Sequence, residues 1–121
     1  MAEFEFTCPC CGHLVFSEPP GSYGICRVCC WEDDDSQLAD PYSAGGANGI
    51  SLAAAQENVR SIGVCAPEHS EHVVPAGKFE RDARWRPLDA GRDRLSRDEV
   101  DRVFASEDVN ELYYWLQRPS C

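Results

Sequence analysis

Three observations predict a small α+β fold. Two Cys-x-x-Cys turns, Cys8–Cys11 and Cys26–Cys29, are separated by fourteen residues. One apolar face at helical spacing runs from Leu52 to Ile62, between Ser51 and Gly63. A second helical stretch opens on Ser96 with Glu99 three residues later. Together they predict one domain over 1–121. A small metal-bound β-hairpin (4–31) packs on a helix (51–63), an extended wrap follows (64–95), and a C-terminal helical pair closes the chain (96–118).

The hairpin comes first. Phe4 and Phe6 alternate with polar residues, His13-Leu14-Val15-Phe16 reads as a short strand, and Pro19-Pro20-Gly21-Ser22 as a turn. Four thiolates in two such turns can converge on one tetrahedral ion with sulfur about 2.3 Å from the metal, as in a zinc ribbon. Pro9 fixes its own φ and Gly12 tolerates φ > 0, so the first turn can aim N–H groups at the sulfurs. Cys8, Cys11, Cys26 and Cys29 are therefore the predicted ligands. Zinc is the preferred ion, and iron in a rubredoxin-like centre is the alternative, since both accept tetrahedral sulfur ligation. Four thiolates fill the shell, so the site is expected to be structural and the protein not an enzyme.

Residues 32–50 read as loop, with four adjacent acids (Glu32, Asp33, Asp34, Asp35), then Asp40-Pro41, then Gly45-Gly46-Ala47-Asn48-Gly49 as a flexible turn. The acid run lacks the alternate oxygen spacing of a calcium loop. It is expected to be either a solvated face or, with Trp31, a surface for a basic partner. In the helix that follows, Ser51 caps Leu52, Ala55, Val59 and Ile62, and Gly63 suits the C′ position. The wrap takes Trp85 and Leu88 as anchors. Val100, Val103 and Phe104 belong to the first C-terminal helix. Val109, Leu112, Tyr113 and Leu116 form the face of the second, which Pro119 ends.

Other thiols and imidazoles invite a second reading. Cys10 and Cys30 adjoin ligand positions, so ligation could shift by one residue. They are either a reactive pair or small packed hydrophobes, and the packed reading is preferred. Cys65, His69 and His72 could contribute to a second metal site, although a polar loop is the simpler account. His13 could replace a ligand but fits a solvated loop position.

The bulk numbers restrict function. The chain carries 21 acidic and 11 basic residues, a net charge of −10. Residues 1–50 hold eight carboxylates and Arg27 alone, a balance of −7. A nucleic-acid site needs clustered cations, so that class is disfavoured and an acidic face suits a basic protein partner. No apolar run reaches eighteen residues, so no membrane span is expected. The acidic start resembles no secretory signal, and the expected location is cytoplasmic, where thiols stay reduced.

The run Cys8-Pro9-Cys10-Cys11-Gly12, followed by Ser17-Glu18-Pro19-Pro20-Gly21-Ser22-Tyr23, Ile25-Cys26, Val28-Cys29 and Trp31-Glu32-Asp33-Asp34, resembles the bacterial cysteine-rich CPCC family. Gly45-Gly46-Ala47-Asn48, Ser51-Leu52, Gly63, Cys65 and Trp85-Arg86-Pro87-Leu88-Asp89 extend the resemblance over residues 6–89. It implies a small zinc-ribbon-like protein with a loose association with toxin–immunity neighbourhoods. It also implies an aromatic preference where this chain has Cys30, whereas Cys10 and Cys65 fit the family pattern. The helices after Ser96 are an addition. The leading expectation is a zinc-stabilised, non-catalytic protein-interaction module of immunity or adaptor type. The alternative is a redox protein, working by electron transfer at iron or by thiol chemistry at Cys10.

Overall fold

A computed structural model describes residues 5–71 and 78–119. β1 (Phe6–Thr7) and β2 (Leu14–Phe16) form an antiparallel pair. Phe6 faces Phe16 and Thr7 faces Leu14, so the register slips by one residue between them. The return strand is reduced to a bridge between Ile25 and Glu32. The fold is the expected α+β type, with the cysteine cluster beside the hairpin.

Residues 32–50 are not the expected loop. Asp34 caps α1 (Asp35–Ala39), its carboxylate accepting from the Ser36 N–H at 2.9 Å. The second Asp34 oxygen accepts from the Ala47 N–H at 2.8 Å. Gln37 donates to the carbonyls of Ser43 and Ile50 and accepts from Asn48. Asn48 in turn exchanges two bonds with the backbone of Glu32. The Gly45–Gly49 stretch is thus knit to α1 rather than a flexible turn. A Cβ on Gly46 would lie 2.4 Å from Gln37, so the backbone passes where only glycine fits.

α2 (Leu52–Ile62) matches expectation. The Ser51 hydroxyl accepts from the Ala54 N–H, and Gly63 closes the helix in the left-handed region at φ 84°. Such an N-cap contributes about 1 kcal/mol. Leu52 and Ala55 are buried and Val59 half-buried, but Ile62 is exposed, because the apolar stripe runs off the packed face in the last turn.

The stretch 64–95 contains two short helices that its Pro and Arg content concealed: a 3₁₀ turn at Pro67–His69 and α3 (Ala90–Asp93), capped by Asp89. Trp85 and Leu88 are half-buried against the core as expected, but Asp82, Arg86 and above all Asp93 are buried more deeply. α4 (Arg97–Phe104) has the reciprocal capping box of Ser96 and Glu99, with Val100 buried and Phe104 exposed. The expected second helix is two turns, α5 (Val109–Leu112) and α6 (Tyr114–Gln117), broken at Tyr113. The break lets three consecutive aromatics, Tyr113, Tyr114 and Trp115, all enter the core. Tyr113 stacks on Trp115 at 4.6 Å and Tyr114 meets it edge-on at 4.9 Å. α4 packs against α1, where Arg97 pairs with Asp40 at 2.8 Å. No described helix is long and apolar enough to cross a membrane.

A candidate metal centre

The two Cys-x-x-Cys turns fold as matching knuckles. In the first, the Gly12 N–H donates to the Cys8 carbonyl at 2.8 Å and the Cys8 N–H to the His13 carbonyl at 2.9 Å. In the second, the Cys30 N–H donates to the Cys26 carbonyl at 3.0 Å and the Cys26 N–H to the Trp31 carbonyl at 2.8 Å. Each turn ends in the left-handed region, Gly12 at φ 80° and Cys30 at φ 72°. Cys30 therefore stands where the first knuckle has glycine. That position explains it better than the expected alternatives of reactivity or packing alone.

The knuckles bring Cys8, Cys11, Cys26 and Cys29 together in the core, with all four sulfurs within 4.8 Å of one another. Cys8 Sγ lies 3.7 Å from Cys29 Sγ, and Cys11 Sγ lies 3.7 Å from Cys26 Sγ. A tetrahedron with metal–sulfur bonds near 2.3 Å has edges of about 3.8 Å, whereas a disulfide needs about 2.05 Å. These distances fit ligands around an ion, and the seven described cysteines are all free. The N–H groups of Val28 and Cys29 point at Cys26 Sγ at 3.3 and 3.4 Å. Donation from Cys26, Cys29 and Cys8, with a smaller contribution from His13, holds the Cys11 thiol far below its ordinary pKa. Burial pushes Cys8 well above its own. Four buried thiols whose sulfurs converge within 4.8 Å form a site suited to a cation, and these residues could hold a metal ion.

The remaining candidates separate clearly. Cys10 is 1% exposed, and burial raises its thiol pKa. Cys65 is buried, its thiol pushed up to about 12 by burial, and its N–H donates to the Cys29 carbonyl at 2.9 Å. Burial also raises the half-buried Cys30. Such thiols are poor nucleophiles. Among the described residues no third ligand joins Cys65 and His69, and His72 lies outside those residues.

The acid run is not the expected solvated surface. Trp31 is fully buried, and Asp33 and Asp34 are only 3% and 4% exposed. Asp33 accepts from Ser22 Oγ at 2.7 Å, and burial lifts its carboxyl to about 6. Burial alone would raise Asp34, but donation from Ser36 and Ala47 outweighs it and holds its carboxyl low. Only Glu32 and Asp35 remain half-buried at the surface.

Sequence reasoning missed the supports of the first knuckle because they come from distant parts of the chain. The Pro9 carbonyl accepts from Gln56 Nε2 at 2.9 Å and from Trp85 Nε1 at 3.0 Å. The Asp82 N–H donates to the Gly12 carbonyl at 2.8 Å, and Thr7 Oγ1 donates to Asp82 at 2.7 Å. A Cβ on Gly12 would sit 2.6 Å from the Trp85 ring, so glycine is needed there for space as well as for φ.

No curated protein matches the chain. The family model described as "Cysteine-rich CPCC" matches residues 6–80, which contain both knuckles, α1 and α2. With more than half of its length matched and the four sulfurs gathered as that pattern implies, the chain belongs to the cysteine-rich CPCC family.

Proposed function

We propose that this chain is a zinc-stabilised, non-catalytic protein-interaction module, of immunity or adaptor type, working in the bacterial cytoplasm. The observation that carries the metal reading is the sulfur tetrad, whose 3.7 Å separations suit a tetrahedral ion. Cys8, Cys11, Cys26 and Cys29 would hold the zinc. With all four positions taken by thiolates, the ion would supply cross-linking rather than a bound water for catalysis. The hairpin of residues 4–31 has few large apolar residues, so such a cross-link would contribute directly to folding. The free described cysteines suit a reducing compartment.

The redox alternative at Cys10 is weakened by its burial and its raised pKa. Iron at the same four sulfurs stays the competing ion. Elemental analysis of protein purified without added metal decides between them. One zinc per chain and no visible absorption is expected. A coloured iron centre, or no metal, would overturn the zinc reading.

The proposed partner is a basic protein. Support comes from the charge of −10 and from Tyr23 and Ile25, which are 52% and 56% exposed. The carboxylates of Asp34, Asp35 and Glu32 raise the Tyr23 pKa, so this apolar pair sits in a negative field. Co-purification from the native host should yield a basic partner that a Tyr23→Ser, Ile25→Ser double variant fails to hold. Retention at unchanged affinity would exclude this surface.

A further inference from the structure

Residues 81–119 lie beyond the stretch the family model matches, yet they are bonded to the turn between two of the four ligands. The segment 80–85 runs along the first knuckle. The Leu14 N–H donates to the Glu80 carbonyl at 2.7 Å, and His13 pairs with Arg81. Asp82 and Trp85 then reach the Gly12 and Pro9 carbonyls. Both acceptors belong to the Cys8–Gly12 turn, which carries two of the four sulfurs.

Pro9 is also the start of a longer polar chain. Gln56 Nε2 donates to the Pro9 carbonyl and to Tyr114 Oη at 3.0 Å, while Gln56 Oε1 accepts from the Leu88 N–H at 2.8 Å. The Tyr114 hydroxyl donates to the Arg86 carbonyl. The Arg86 guanidinium forks onto Asp93 at 2.7 and 2.9 Å, and Arg118 Nε reaches Asp93 at 2.9 Å. From knuckle to α6 every link is a direct hydrogen bond between groups that are wholly or partly buried.

The geometry points to a metal-dependent strap: ion binding at the four cysteines fixes the first knuckle, and the fixed Pro9 and Gly12 carbonyls hold residues 81–119 against the core. This rests on the metal reading above. Coupling of this kind is reciprocal, so a weakened strap lowers metal affinity by the same factor that metal loss loosens the strap. Removal of the ion lets the turn relax, the two acceptors move, and the segment carrying Trp85, Tyr114 and Trp115 loosens. The chain would thereby report its metal state by exposing aromatics that the strap otherwise buries, Tyr114 and Trp115.

The test uses the full chain with Zn²⁺ titrated against a competing chelator. Trp85→Phe deletes the indole N–H but keeps an aromatic ring over Gly12, and Gln56→Leu deletes the hub. Each is expected to weaken zinc binding about fivefold, the effect of one net hydrogen bond. Arg97→Ala, which breaks only the pairing with Asp40 and Asp101, leaves zinc affinity unchanged. In the wild type, stripping zinc should raise amide exchange at Asp82, Trp85 and 112–118 more than at 56–60 in α2. Zinc affinity equal to wild type in both Trp85→Phe and Gln56→Leu would overturn the proposal. So would exchange at 112–118 that ignores zinc. A chain that binds no zinc fails the metal reading as well, whereas a zinc-binding chain with an indifferent strap fails this inference alone.

Discussion

Replacing Asp93 with Ala should be among the most damaging single changes outside the sulfurs. The Asp93 side chain is fully buried and its carboxylate accepts four hydrogen bonds: two from Arg86, one from Arg118 and one from its own helix start at the Asp89 N–H. Burial alone would raise its pKa, but donation from Arg86, Asp89 and Arg118 outweighs this and holds it below the ordinary 3.8. The carboxylate is therefore ionised in the fold, and Arg86, 9% exposed at its side chain, forms its ion pair among the described residues with Asp93 alone. Arg118 is more exposed and can turn to water; Arg86 cannot. Leaving one buried charge unpaired costs about 3–5 kcal/mol. That is a large part of the roughly 5–15 kcal/mol that holds a domain together. The assay is urea unfolding of metal-loaded protein at pH 7, with a double variant, Asp93→Leu with Arg86→Met, as comparison. The double variant should recover much of the loss, because removing both charges removes the desolvation cost as well. The folded pKa is depressed, so the contribution of Asp93 is present above 3.8 and lost as pH falls through the folded value. A loss under about 1 kcal/mol for Asp93→Ala would refute the reasoning, since it would mean Arg86 reaches water. A double variant as unstable as the single would refute it equally.

Asp33 should show the opposite pH behaviour. Its carboxyl is raised from 3.8 to about 6, so its favourable protonation is complete below 3.8 and lost as pH rises through 6. Asp33→Asn keeps an acceptor for Ser22 and should be more stable than wild type by about 2–3 kcal/mol at pH 7.5, with the gain vanishing by pH 4 in parallel urea titrations. Cys30→Gly should stabilise the metal-loaded protein by roughly 1 kcal/mol in thermal melts, because it relieves a non-glycine residue held at φ 72°. Gly12→Ala should do the reverse and speed zinc loss to a chelator, as the new Cβ would meet the Trp85 ring at 2.6 Å.

The features legible in the sequence are those with a local signature. Paired Cys-x-x-Cys turns, a serine before an apolar face, a glycine after it, and a capping box each involve residues within a turn or two of one another. The same is true of Gly12, whose positive φ follows from the shape of its knuckle. The acid run misled because adjacent carboxylates look alike in sequence while each has its own neighbour in space. Asp33 turns to Ser22, Asp34 caps α1 and ties down Ala47, and Asp35 enters the first turn of the helix. The second C-terminal helix broke at Tyr113 because burying three successive aromatics defeats a continuous helical face. The supports of the metal centre were invisible for a related reason. Gln56 and Asp82 have no motif, Trp85 was legible only as an anchor and part of the family pattern, and their hairpin partners are 47 to 76 residues away.

Those separations also bear on the order of events during synthesis. Both knuckles have left the ribosome once Trp31 has emerged, so all four thiols are available while the rest of the chain is still being made. The residues that will lie over the first knuckle follow only with Asp82 and Trp85. Bringing ends about 75 residues apart together costs roughly 4 kcal/mol of loop-closure entropy, and the chain meets that cost late. Until then the nascent turn has an open side through which an ion can arrive. After closure, that side of the first knuckle is covered by Asp82 and Trp85.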